Sequence, residues 1–257
     1  MGNEKILIAF LTILTKETTR FLRIWGQTIL PPAVSMALYF VIFGTLIGPR
    51  IGSINDFIYM EFIAPGLIMM SVINNSYSNV VASFFGAKFQ RHIEEMLVAP
   101  IPNFVILSGY VLGGVTRGLV VGIVVTIVTL FFTDLKIHSY LIVFSVVIST
   151  AVLFSIGGFI NAIFAKTFDA ISIIPTFVLT PLIYLGGVFY SIDMLPDFWQ
   201  SISLINPILY MVNAFRYGIL GISDINVGFA FCIIFLFIGI LATCALVLLH
   251  KGTGIKN

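Results

Sequence analysis

Long stretches without charge constrain this chain more than any other feature. Uncharged runs cover residues 24–49, 62–87, 96–116, 118–133, 139–165, 170–192, 198–215 and 225–249. A spanning helix needs about 20 largely apolar residues, so most of these runs are long enough to cross a bilayer. In lipid the backbone must satisfy its own polar groups, and apolar runs of this length do so as helices. Composition agrees: 59% of residues are hydrophobic and only 9% charged, against about a quarter charged in ordinary soluble domains. The reading is an all-α integral membrane protein.

Six transmembrane helices are expected, at about 26–48, 62–85, 104–132, 140–164, 170–190 and 227–249. An even number puts both termini on one side. With the termini in the cytoplasm, Lys5, Lys16, Arg20, Arg23, Lys88, Arg91, Lys166, Lys251 and Lys256 lie inside, and only Arg50, Lys136 and Arg216 outside. The positive-inside rule favours this orientation. Residues 6–14 lack the leader and small-residue cleavage site of a signal peptide and are expected to be retained. Lys16, Arg20 and Arg23 share a helical face, so residues 1–25 read as an amphipathic N-terminal interfacial helix.

Between the second and third spans lies the densest internal charge cluster: five of the eight residues from Lys88 to Glu95 are ionisable. Phe85, Phe89, Ile93, Met96 and Leu97 recur at helical spacing, and Pro100 and Pro102 end the pattern. Residues 86–102 therefore form a helical cytoplasmic loop. The pattern fits both a connector resting on the headgroups and a docking element. Further on, Gly186, Gly187, Asp193, Pro196 and Asp197 mark an exit from the membrane, and Asn206-Pro207 supplies a cap and first-turn proline. Residues 191–220 read as an outer re-entrant helical hairpin, packed on the spans or on the exit of a pathway.

Chemistry-bearing constellations are few. His92, His138 and His250 are scattered, no metal motif is present, and no phosphate-binding GxxxxGK[ST] occurs. No catalytic residues and no metal ligands are assigned, and any nucleotide must be handled by another polypeptide. The net charge of +2, without a basic patch, gives no reason to expect nucleic acid. Cys232 and Cys244, twelve residues apart on one helix, cannot bridge each other.

Within the spans, Arg117 stands alone among uncharged neighbours. A central arginine costs about 2.5–3.5 kcal/mol to insert, so it must face protein, water or a lipid phosphate. A structural partner (carbonyls or Glu61) and a substrate contact both fit. Gly114, Gly118 and Gly122 form a small-residue stripe suited to intramolecular packing or to a subunit interface. Asn74, Asn75, Ser76, Tyr77, Ser78 and Asn79 make the second span unusually polar, as interhelical hydrogen bonding or a substrate-lining surface would require. Asn161 and Tyr184 are weaker candidates, and Pro31, Pro32, Pro175 and Pro181 are expected to kink their helices.

Two segments carry a family resemblance. RHIEEMLVAPIP, from Arg91 to Pro102, resembles the segment after the second span of ABC-2 type permeases, the membrane subunits of many ABC exporters. Glu94, Glu95, Leu97, Val98 and Pro100 fit that pattern, while His92, Ile93 and Glu94 stand where glycine and threonine are usual. The stretch from Gly186 to Gly221 resembles the family's outer re-entrant region, with Gly187, Leu195, Pro196, Trp199, Asn206, Pro207, Tyr210 and Arg216 at its spacing.

The resemblance implies one transmembrane domain over residues 1–257, in a half-transporter of the bacterial inner membrane. It implies a second permease copy, a homodimer, and two separate ABC ATPase subunits that bind ATP and Mg, with no cofactor in this chain. Residues 86–102 become the coupling helix, with Lys88, Arg91, Glu94, Glu95, Leu97 and Pro100 as contact candidates. Spans two and five would face the pathway, which adds Asn75, Tyr77, Asn79, Phe177 and Tyr184 to Arg117. The expected function is ATP-driven export of a lipid, glycan, drug or other amphipathic substrate. An ion-coupled carrier or channel, the alternative, would require acidic or histidine residues inside the spans.

Overall fold

A computed structural model describes the chain from residue 3 to residue 254, with the side chains of Asn3 and Leu97 outside the described residues. Lys256 of the charge count also lies outside them. Among the described residues, regular structure is helical apart from one short hairpin.

Helix α1 (Asn3–Arg23) leads into a segment broken at Ile24 and Ile29: α2 (Trp25–Thr28), α3 (Leu30–Tyr39), a π-helical stretch over Phe40–Ile47, and α4 (Gly48–Ile51). Pro31 and Pro32 sit in the first turn of α3, where their missing N–H groups cost nothing. Strands β1 (Ser53–Ile54) and β2 (Phe57–Ile58) then pair antiparallel, Ser53 opposite Ile58. Asn55 and Asp56, both at positive φ, form the turn. The sequence reading contains no strand here; Asn and Asp tolerate the positive φ that both central residues of such a turn require.

The centre of the molecule is α5 (Tyr59–Phe89), which packs on α7 (Asn103–Leu130), α8 (Tyr140–Phe164) and α12 (Pro207–Leu220). Phe84 of α5 lies 4.1 Å from the Phe159 ring and edge-on to Tyr110. After α8 come α9 (Ala170–Ile174), a π-helical turn over Pro175–Leu179, and α10 (Thr180–Tyr184). The outer segment contains a 3₁₀ turn (Ile192–Met194), α11 (Asp197–Ile205) and α12; α13 (Val227–Lys251) packs against α12 and α8.

Among the described residues, four helical segments are long and apolar enough to cross a membrane: Trp25–Ile51, Asn103–Leu130, Tyr140–Phe164 and Val227–Lys251. These match expected spans one, three, four and six. Helix α5 is long, but its Asn, Ser and Glu side chains dilute its hydropathy. The fifth expected span is a helix of Ala170–Tyr184, shorter than an apolar span requires.

Glycines set the closest approaches. A Cβ on Gly114 would meet Val80 at 2.5 Å and the Ser76 carbonyl oxygen at 3.0 Å; one on Gly122 would meet Val72 at 2.9 Å. The Gly114–Gly118–Gly122 stripe therefore packs α7 on α5 within one chain. A second stripe on α7, absent from the sequence reading, receives α1. There a Cβ on Gly109 would meet Ile13 at 2.7 Å, and one on Gly113 would meet Glu17 Cβ at 2.5 Å.

Cys232 and Cys244 are both free and exposed.

Candidate functional site

Helix α5 ends one turn into the expected loop, and the chain then breaks. Arg91 adopts φ 62°, ψ 6°, a left-handed conformation that a non-glycine residue occupies at a cost. The short α6 (His92–Val98) starts from it in a new direction. Residues 86–102 thus hold the end of one helix and a separate second helix, where the spacing predicts one continuous pattern. A polar residue with a short helix after it gives no sequence sign of the break.

Ile93 is buried and anchors α6, while Arg91, His92, Glu94, Glu95, Val98 and Pro100 are exposed. Tyr110 of α7 reaches Met96 Sδ at 3.9 Å. A 320 Å³ cavity separates α6 from α1, with His92, Glu95 and Met96 on one wall and Ala9, Thr12 and Lys16 on the other. A second cavity, of 520 Å³, brings Lys88, Arg91 and Glu94 together with Lys166.

Among the six coupling candidates, Lys88 is engaged inside the molecule. Its Nζ donates to the carbonyl oxygens of Ile163 at 2.6 Å and Ala165 at 2.8 Å, closing the C-terminal end of α8. A cation there meets unpaired carbonyls and the negative end of the helix dipole. Lys88 lies past the second span, and burial, then the neighbouring Lys166, lowers its pKa. Leu97 belongs to α6, but its side chain is outside the described residues.

The pathway candidates divide into two groups. Asn75, Tyr77 and Asn79 are buried within the bundle, and Phe177 and Tyr184 are exposed on the π-helical turn and α10. Arg117, half-buried, donates from Nη2 to Asn75 Oδ1 at 3.1 Å. Its partner is this amide, and Glu61 does not pair with it. Asn75 Nδ2 in turn donates to the Ser71 carbonyl oxygen at 3.0 Å. Tyr77 packs on α8, where Gly157 and Gly158 make room for it, and Asn161 ties α8 to α9 through the Ile171 carbonyl oxygen.

Asn79 has a partner that the sequence reading missed. Arg20 Nη2 donates to its Oδ1 at 2.8 Å and its backbone carbonyl oxygen at 3.1 Å. Arg20 also pairs with Glu17 at 3.3 Å, and the fully buried Glu17 accepts from Ser83 Oγ at 2.6 Å. The face of α1 that enters the protein is therefore Ile13, Glu17 and Phe21, at a spacing of four. Nothing local in the sequence marks Glu17 as buried, because a carboxylate in an amphipathic helix normally faces water.

At the opposite end, Arg216 is fully buried. The charge count places it outside, in water; in the fold its guanidinium donates to the Gly187 carbonyl oxygen and lies 4.0 Å over the Phe62 ring. Gly187 takes φ 71°, which a side chain would strain. Asn206 caps α12 through the Ile208 N–H and donates to the Leu182 carbonyl oxygen at 2.6 Å. The two-helix division of 191–220 at Asn206-Pro207 thus appears where its capping signal lies.

Residues 8–220 match the family model described as ABC-2 type transporter. The chain is 56% identical over 250 residues to the inner membrane transport permease YadH of Escherichia coli (strain K12), covering 97% of this chain and 98% of that protein. It is 25% identical over 191 residues to nodulation protein J of Rhizobium leguminosarum bv. viciae, covering 74% of each. Nodulation protein J of Rhizobium meliloti (strain 1021) is 24% identical over 194 residues, 74% of this chain and 73% of that protein.

Proposed function

The chain belongs to the ABC-2 type transporter family and is a membrane transport permease; from that premise we propose that it is the membrane subunit of an ATP-driven exporter of the bacterial inner membrane. Two copies pair with two ATPase subunits, which bind ATP and Mg. Both termini and α6 lie on the cytoplasmic side, and six helical segments cross the bilayer. The cargo is an amphipathic lipid, glycan or drug-like compound.

The observation that carries this reading is α6. It is a short helix with exposed Arg91, Glu94, Glu95 and Val98, held by buried Ile93, and joined through one left-handed residue to the helix at the centre of the fold. A partner that grips the exposed face moves α5 directly. Because ATP favours one arrangement of the ATPase pair, that grip gives it a differential interaction with two permease conformations, which coupling requires. Exposed Phe177 and Tyr184, with Ile173 and Val178, offer an apolar face for the second copy and the cargo.

The test is Glu95→Arg in the reconstituted permease–ATPase complex. Weaker ATPase association or hydrolysis uncoupled from transport is expected, with membrane insertion intact. Unchanged assembly and unchanged substrate-stimulated hydrolysis would sink the coupling role of α6.

A further inference from the structure

The 520 Å³ cavity between the ends of α5 and α8 and the start of α6 gathers three cations, Lys88, Arg91 and Lys166, against one carboxylate, Glu94. The ion pair formed among the described residues is Arg20–Glu17, so Glu94 neutralises none of the three. Like charges gathered in one place repel, and Lys88 registers this: after burial, the neighbouring Lys166 is the next cause that lowers its pKa. An anion in the cavity would offset the surplus.

Room and access are both present. The volume is many times that of a water molecule, and Arg91, Glu94 and Lys166 are exposed, so the cavity is reached from outside. Lys88 Nζ has three N–H groups and spends two on the carbonyl oxygens of Ile163 and Ala165. Apolar surface adjoins the charge. Phe89, the last residue of α5, and Phe164, the last of α8, line the same cavity and are 62% and 56% exposed. Phe168 backs Phe89, with ring centroids 5.0 Å apart. Because α8 is long and apolar enough to span, its end lies where hydrocarbon gives way to headgroups, a level that suits exposed aromatic rings.

We infer that Lys88, Arg91 and Lys166 form a binding site for a phosphate-bearing anion, supplied by the headgroup of an anionic lipid. Guanidinium and ammonium donors pair with phosphate oxygens, and basic pockets at the ends of spanning helices take anionic headgroups. Free phosphate meets the same donors but makes no use of Phe89 and Phe164, against which acyl chains can lie; those rings favour the lipid. Binding here requires neither ATP nor an ATPase, so it stands apart from the transport reading.

Native mass spectrometry of the full chain in detergent, without an ATPase, tests the site with phosphatidylglycerol, zwitterionic phosphatidylethanolamine and inorganic phosphate as probes. Phosphatidylglycerol is expected to bind more tightly than phosphatidylethanolamine, and millimolar phosphate not to displace it. Lys166→Gln and Arg91→Gln should each weaken phosphatidylglycerol about fivefold, the effect of one basic charge at a membrane surface, while Lys166→Arg retains the affinity. Glu94→Gln removes the carboxylate and should strengthen binding about fivefold, a gain that misfolding cannot mimic. Lys251→Gln, outside the cavity, should leave the affinity unchanged. Equal phosphatidylglycerol binding by the wild type, Lys166→Gln and Glu94→Gln would overturn the site, as would an equal loss in Lys251→Gln, which marks general attraction to basic surface. Occupancy by inorganic phosphate without lipid preference would overturn the lipid source.

Discussion

The Lys88 ammonium stands 2.6 Å from the Ile163 carbonyl oxygen, so the root of α6 is fastened to the end of α8. Lys88→Met removes this cap and the bond to Ala165. A loss of about 1–2 kcal/mol is expected, since hydrogen bonds from charged groups are worth about that much when partly buried. A thermal melt followed by fluorescence size exclusion in detergent measures it, and an unchanged midpoint would remove the cap from the account.

Arg91 separates a backbone effect from a charge effect. At φ 62° a glycine is conformationally better, so Arg91→Gly should leave stability unchanged or raise it by up to about 1 kcal/mol. ATPase association should weaken in the same variant, because an exposed cation of the docking face is lost. Parallel loss of both would show that Arg91 acts through folding alone.

Glu17 and Arg20 fix α1 against α5. Glu17→Leu leaves Arg20 held by Asn79 alone and unpairs Ser83, and is expected to cost about 1–3 kcal/mol, the range for leaving a buried polar group without its partner. Leucine at both positions should recover part of that loss. A double-mutant cycle on melting midpoints reads the coupling; strict additivity of the two single changes would rule out the clasp.

Glycines give a contrast within one fold. A Cβ on Gly158 would lie 2.5 Å from the Tyr77 carbonyl oxygen, a backbone atom that cannot yield. Gly158→Ala should therefore destabilise by about 1–3 kcal/mol through overpacking of α8 on α5. Gly239 in α13 has nothing within 4 Å of its built Cβ, and Gly239→Ala should be neutral or slightly stabilising. Similar melting shifts for both would contradict this packing.

Arg216 is a buried cation whose geometry matters more than its charge. Arg216→Lys keeps the charge but cannot span Gly187 and Phe62 in the same way. Both Arg216→Lys and Arg216→Met should lower expression and melting temperature, by about 2–4 kcal/mol in stability. Full rescue by lysine would show that charge suffices.

Much of the architecture is legible in the chain because its signals are local. Apolar runs give four long helices near their expected limits, and Asn206-Pro207 places the start of α12 through a side-chain cap that needs no distant partner. Expected spans two and five are harder to read. In one, amides that serve other helices interrupt the hydropathy; in the other, prolines at 175 and 181 flank a π-helical turn.

What the sequence by itself determined is the membrane class, the helical character, the exposed polar segment around Glu94 and Glu95, and the family. These follow from composition, periodicity and short motifs, which depend only on neighbours along the chain. Tertiary structure alone decided that Arg117 meets Asn75, that Lys88 caps α8, that Glu17 is buried, and that Arg216 sits over Phe62. Partners of a charge in a packed bundle are set by which helices touch and at what rotation. That is fixed by glycines and side-chain shapes distant in sequence, which no local pattern records.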